Sequence, residues 1–136
     1  EDNNIENKSL IDYGSGSGIL SIVSKLYGAD YVVGAEIDRK AIDNAIQNCK
    51  LNNLHIPFID LNKENIQGEF DIIIANILSN TLIQLSTTFE TLLRKKLILS
   101  GILDKQVSDV IDAYSDWIIL KQKKNLEGWN LLEGNL

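Results

Sequence analysis

The chain has 136 residues, enough for one domain and too few for two. Apolar residues make up 44% and charged residues 24%, which supports a packed core, and the net charge of −6 argues against a protein built to grip nucleic-acid phosphates. No apolar run approaches the roughly 18 residues of a membrane span. The start shows no secretory-leader pattern, and a single cysteine and a single histidine exclude an internal disulfide and clustered Cys/His metal sites. The sequence contains no methionine, so a processed form or a cut fragment is expected.

Residues 1–7 are polar and predict an exposed arm; residues 1–8 are expected to be a linker and 9–136 the folded domain. A strand is predicted over Ser9–Tyr13. Ile19, Ile22, Val23 and Leu26 then fall on one helical face, with Gly28 as the stop. The Val-rich Tyr31–Glu36 reads as a buried strand, and Asp38 as the N-cap of a helix whose inner face is Ile42, Ala45, Ile46 and Cys49, closed by Asn52 and Asn53. A third strand is predicted over 56–60, a short helical turn over 63–67, and a central strand over Phe70–Asn76, where three isoleucines run together. A helix with Leu82, Leu85, Phe89, Leu92 and Leu93 inward follows. Then come a strand over 97–100 and a helix through Val107, Val110, Ile111 and Tyr114, capped by Asp104. Two closing strands, 117–120 and 129–132, are expected around a Lys/Asn-rich turn. Strand–helix alternation of this kind predicts right-handed crossovers and a doubly wound, mostly parallel α/β sheet.

In such sheets ligands bind beyond the carboxyl ends of the strands, where strand order reverses. The strongest signal there is Asp12-Tyr13-Gly14-Ser15-Gly16-Ser17-Gly18, a D-x-G-x-G-x-G run between a strand and a helix. Glycines let the backbone turn sharply and a ligand approach the main chain closely. The dinucleotide spacing would need glycine at 19, which is Ile19, and the Lys-Ser/Thr of a phosphate loop is missing. Such a loop suits a ligand without a phosphate. Glu36 lies 22 residues beyond Gly14 at the end of the second strand, where an acid takes ribose hydroxyls. Asp38, two residues on, reads as a helix cap alone. Asp60 ends the third strand, where a carboxylate can accept from an adenine amino group while the Leu61 amide donates to the ring; a plain turn residue fits Asp60 equally well.

Together these residues resemble the class I S-adenosylmethionine-dependent methyltransferases, whose fold is a Rossmann-like, mostly parallel seven-stranded sheet with an antiparallel strand near the C-terminus. Four stretches are more specifically similar to the PrmA family, which methylates ribosomal protein L-eleven. They are the glycine-loop segment through Ile22, Val33-Gly34-Ala35-Glu36-Ile37-Asp38, Ile74-Ala75-Asn76-Ile77-Leu78 and Leu97-Ile98-Leu99-Ser100-Gly101-Ile102-Leu103. A late Glu127-Gly128-Trp129 resembles that family's closing strand. The resemblance implies S-adenosylmethionine as cofactor, held by Asp12, Gly14, Ser15, Gly16, Gly18, Glu36, Ile37, Asp60, Leu61 and Asn76, with no metal. It implies methyl transfer to lysine and N-terminal amines of a ribosomal protein, in the cytoplasm, without a membrane and without strong nucleic-acid binding. It also implies an N-terminal recognition domain that the 136 residues do not contain.

Asn76 is the catalytic candidate. Its carbonyl can accept an amine N–H and aim the lone pair without adding a charge that would hold the amine as ammonium, and Ile77 and Leu78 would supply an apolar wall. The chain departs from the family at three points. Ser15 stands where Cys or Thr is common, Glu36 where Asp is common, and Arg94-Lys95-Lys96 replaces a Pro-Gly-Gly turn. Another protein, RNA or small-molecule acceptor, or a non-catalytic module that keeps the fold, remain as alternatives. Cys49 reads as a core thiol, His55 as a surface residue, Trp129 as core, and the basic segments 94–96 and 121–124 as solvated turns.

Overall fold

Leu10 and Ile11, Val32 and Val33, and Ile72 and Ile73 are all buried, as expected of strands covered on both faces. The computed structural model describes residues 4–136. In chain order the elements are β1 (Ser9–Tyr13), α1 (Ile19–Leu26), β2 (Tyr31–Glu36), α2 (Arg39–Leu51), β3 (Phe58–Asp60), β4 (Phe70–Asn76), α3 (Ser79–Gln84), α4 (Ser86–Leu92), β5 (Leu93–Leu103), a 3₁₀ turn (Asp104–Gln106), α5 (Val107–Tyr114), β6 (Lys121–Leu126) and β7 (Trp129–Asn135). Among the described residues the seven strands form one sheet in the order β3-β2-β1-β4-β5-β7-β6. β1 to β5 are parallel, and β7 runs antiparallel to both of its neighbours. The order reverses between β1 and β4, so the crevice at their carboxyl ends is where a ligand can enter.

The two-residue period of the strands divides the core. Ile11, Val33 and Ile73 face α3, α4 and α5, joining Leu82, Phe89, Leu92, Val110 and Tyr114. Leu10, Val32 and Ile72 face the other way, joining Ile22 of α1 and Cys49 of α2. A column of rings runs through the first layer: Tyr13 meets Phe89 edge-on at 5.1 Å, Phe89 meets Tyr114 at 6.5 Å, and Tyr114 meets Trp117 at 5.7 Å. The buried Tyr114 hydroxyl donates to the Leu82 carbonyl at 2.6 Å, which ties α5 to α3, and burial pushes the phenol pKa upward.

Several elements differ from the sequence reading. Of the arm, residues 1–3 lie outside the described residues. Residues 4–8 form a turn whose Asn7 amide donates to Gly28 O, with Ile5 against the α1/α2 core. α1 is turned from the expected face: Ile19, Val23 and Leu26 are exposed, and Ser21, Ile22 and Ser24 are buried. Small serines let α1 sit close to the sheet, and the apolar arc points aside. The strand expected over 56–60 begins only at Phe58, after Pro57. No helical turn forms over 63–67. The helix after β4 is two short helices meeting at Leu85. Arg94-Lys95-Lys96 is strand, because β5 starts directly from α4 and Lys96 pairs with Asn135. The residues that close the fold are also shifted: 117–120 is a connection that buries Ile118 and Leu120, and the Lys-rich segment itself is β6. As the outermost strand it is exposed at every position, so it carries no alternating apolar signal. Asp104 does not cap α5; its Oδ1 accepts from Asn125 and Asn130, while Gln106 Oε1 accepts from Leu103 N and Ser79 Oγ.

The start of β1 is fastened to β4 by a reciprocal pair. Ser9 N donates to Asp71 Oδ2 at 3.0 Å, and Asp71 N donates to Ser9 Oγ at 2.9 Å. The Ser9 amide, helped by Lys95, Ser9 Oγ and Arg94 against a smaller burial penalty, holds the Asp71 carboxyl below its ordinary value of 3.8. A depressed carboxylate stabilises the fold above its unfolded pKa, and the effect is lost as pH falls through the folded pKa. The stability gap between wild type and Asp71→Asn is therefore expected to be full at neutral pH and to close as pH drops below about 4, measured by urea unfolding across pH.

Candidate active site

The glycine loop is built on positive φ. Gly14, Gly16 and Gly18 stand at 77°, 54° and 83°, a region that L side chains rarely enter. Space is a second constraint at two of them. A Cβ at Gly14 would fall on Ile77 Cγ2, and one at Gly18 would lie 2.9 Å from Ala45 Cβ, whereas one at Gly16 meets nothing within 4 Å. Gly14 N and Ser15 N both donate to Ala35 O, at 2.7 and 3.0 Å, and Gly16 N donates to Glu36 Oε1 at 3.0 Å. The end of β2 thus satisfies the loop's successive amides.

Glu36 Oε2 also accepts from Ile37 N at 2.7 Å and Asp38 N at 2.9 Å. Three of the carboxylate's roughly four acceptor directions are filled by backbone. One direction is open to an incoming hydroxyl, and a second hydroxyl must share or displace an amide. Asp38 itself accepts from Lys40 N and caps α2.

A cleft of about 480 Å³ opens at the β1/β4 reversal. Tyr13 and Gly14 line it from β1, Glu36 and Ile37 from β2, Leu61 from the turn after β3, and Asn76, Ile77 and Leu78 from the end of β4. Thr81, Gly101 and Trp129 complete it. Of the residues picked from sequence, Gly14, Glu36, Ile37, Leu61 and Asn76 meet here. Asn76 is exposed, and its side-chain amide has no hydrogen-bond partner among the described residues.

The remaining sequence candidates stand behind the lining. Asp12 is 1% exposed, and its Oδ2 accepts from Ser21 Oγ at 2.7 Å, which pins the loop to the first turn of α1. Burial raises the Asp12 pKa and the Glu36 charge adds to the rise, against donation from the Ser21 hydroxyl and amide. Ser15 packs behind the loop with its Oγ buried and unpartnered, close to Gly34. Asp60 accepts from Asn62 N through Oδ1, and Asn62 Nδ2 donates to Ile37 O at 2.6 Å, so the turn after β3 is tied to that after β2.

Trp129 is 55% exposed at the cleft rather than in the core. Its alternation with the buried Asn130 in β7 was the available signal, and the polar cluster around Asn130 is what turns the indole outward. Tyr13 and Thr81 also line the cleft and carry no sequence signal of their own. A larger groove of about 650 Å³ lies over the β4–β5–β7 face, walled by Lys95, Lys96, Lys123 and Lys124, with Lys96 paired to Glu133 at 3.1 Å. It does not contain the glycine loop. No group of three or more His, Cys, Asp or Glu able to hold a metal occurs among the described residues, and no helix is long and apolar enough to cross a membrane.

The strand order, the loop after β1 and the acid closing β2 define the class I methyltransferase fold. A methyltransferase from Pyrococcus furiosus shares that fold with a TM-score of 0.86 at 16% identity, over 98% of this chain and 77% of that one. The ribosomal protein L11 methylase of Lactobacillus delbrueckii subsp. bulgaricus superposes with a TM-score of 0.91 at 27% identity, over 97% of this chain and 71% of that one. The chain belongs to the ribosomal protein L11 methyltransferase (PrmA) family, whose model matches residues 1–136. It is 40% identical over 129 residues to the ribosomal protein L11 methyltransferase of Paraburkholderia phytofirmans, and 37% identical to that of Neisseria meningitidis serogroup A. Each match covers 93% of this chain and 43% of the relative, so the chain spans less than half the length of these curated relatives.

The two constraints on Gly14 predict an order of unfolding stabilities. Gly16→Ala meets the left-handed penalty alone, about 1–2 kcal/mol, and Gly14→Ala adds the collision with Ile77. Gly14→Ala is therefore expected to unfold at lower urea concentration than Gly16→Ala.

Proposed function

We propose that residues 9–136 form the cofactor-binding and catalytic unit of an S-adenosylmethionine-dependent methyltransferase that modifies lysine and N-terminal amines of ribosomal protein L11. In this reading the acceptor is recognised by a domain outside these residues, and the reaction takes place in the cytoplasm, where ribosomal proteins are made. The observation that carries it is the meeting of Gly14, Glu36 and the uncommitted Asn76 amide in one cleft at the β1/β4 reversal. The family and the names of the relatives support the acceptor.

The residues present fit such a cofactor. Gly14 has no side chain to fill the cleft beside Ile77, Glu36 keeps an acceptor direction for a ribose hydroxyl, and Ile37 and Leu61 offer apolar surface to a purine. Ser15, Gly16 and Gly18 shape the loop, Asp12 holds it from behind, and Asp60 with Asn62 fixes the turn that carries Leu61. When bound, the cofactor supplies a methyl group on a sulfonium leaving group.

The chain's own work is then orientation and desolvation. A free lysine has a pKa near 10.4 and attacks only when neutral. Ile77, Leu78 and Trp129 wall the cleft with apolar surface, which disfavours the ammonium. The Asn76 carbonyl accepts an N–H of the amine and aims its lone pair, without a charge that would hold the proton.

Calorimetric titration of the chain with S-adenosylhomocysteine tests the cofactor site. Binding is expected in wild type, and Glu36→Ala is expected to weaken it about tenfold or more, through loss of a charge-assisted hydrogen bond. In the full-length protein with L11 as acceptor, Asn76→Ala is expected to lower kcat about a hundredfold and to weaken cofactor binding far less, followed by mass spectrometry of methylated L11. Equal loss of binding and turnover would remove Asn76 from the catalytic role.

A further inference from the structure

The end of β5 carries an irregularity beside the catalytic candidate. Leu99 pairs with Leu132 but Ile102 pairs with Asn130, so an extra residue is accommodated between them. Within this bulge Gly101 stands at φ +80°, and on the neighbouring strand Asn76 pairs with Ser100. The bulge brings the Gly101 backbone against the Asn76 side chain: a Cβ at Gly101 would lie 2.6 Å from Asn76 Oδ1, closer than a non-bonded carbon can approach. The bulge is held from the other side. The buried Asn130 donates through Nδ2 to Ile102 O at 3.0 Å and to Asp104 Oδ1 at 2.9 Å.

Among the described residues the Asn76 amide has no hydrogen bond to fix its torsion, so its direction is set by what surrounds it. We propose that Gly101 is a positioning residue for methyl transfer: its missing side chain leaves the clearance in which the Asn76 carbonyl points into the cleft, and any Cβ there turns the amide away from the acceptor amine. This rests on the reading of Asn76 given above. Glycine at 101 thus answers to two things: its φ, which bears on folding, and the Asn76 Oδ1 beside it, the end of a flexible side chain that a Cβ would move; only the second depends on residue 76.

That dependence gives the test. Gly101→Ala is made in the full-length protein in two backgrounds, wild type and Asn76→Ala, and single-turnover methylation of L11, S-adenosylhomocysteine affinity and thermal unfolding are measured on all four proteins. Gly101→Ala alone is expected to lower the methyl-transfer rate on the order of a hundredfold, the effect of a misplacement of about 1 Å, with affinity within about twofold of wild type. With Asn76→Ala already present it is expected to lower the rate no further, while its cost in melting temperature, set by the φ of residue 101, is expected in both backgrounds. Folding only in the Asn76→Ala background would support the clearance role equally. Gly101→Asn, which tolerates positive φ but keeps a Cβ, is expected to behave like Gly101→Ala in rate. The same fold-loss of rate in both backgrounds, failure to fold in both, or loss of cofactor affinity would overturn the proposal. An Asn76→Ala protein that methylates at the wild-type rate would instead overturn the role of Asn76 itself.

Discussion

The glycine loop can follow its left-handed course only if its amides find acceptors, and the end of β2 supplies them. Ala35 O takes the Gly14 and Ser15 amides, and Glu36 takes that of Gly16. This joins two adjacent parallel strands beyond the last rung of their ladder, and it sets where the cleft can lie. Gly14 then touches Ile77 closely enough to exclude a side chain, so the loop after β1 and the turn after β4 are fixed relative to each other. Asp12 fixes the same loop from beneath through Ser21. Burying a carboxylate is costly and raises its pKa, and the Ser21 hydroxyl that donates to Asp12 works against the rise.

Much of this was legible in the sequence because the central strands are covered on both faces. Their apolar runs have no other explanation, and β1, β2 and β4 fall on the expected residues. Asp38 was legible as a cap because a short acid before a helical period has a specific job. Elements whose packing is one-sided or absent were not. β6 has no buried residue and so no pattern, and the connection 117–120 reads as a strand because Ile118 and Leu120 are core residues. α1 misled for the opposite reason: its apolar arc is real, but serines face the sheet.

The cleft shows the same division. Gly14, Glu36 and Asn76 follow from motif and strand ends, whereas the outward turn of Trp129 and the closeness of Gly101 to Asn76 depend on contacts between strands distant in sequence. Asp12 and Asp60 are expected cofactor contacts; their carboxylates accept from Ser21 and Asn62, and neither lines the cleft. A spacing rule identifies a position near a ligand; whether the side chain faces the ligand or braces its neighbour is settled by packing.

β6 bears on how one molecule meets another of its kind. Its outer side faces no further strand among the described residues, the usual invitation to one, yet β6 carries three exposed lysines, Lys121, Lys123 and Lys124. Two copies approaching rim to rim would set ammonium groups against each other before any ladder could form. The hairpin that presents Trp129 to the cleft is therefore also the place where lateral polymerisation of the sheet is electrostatically refused.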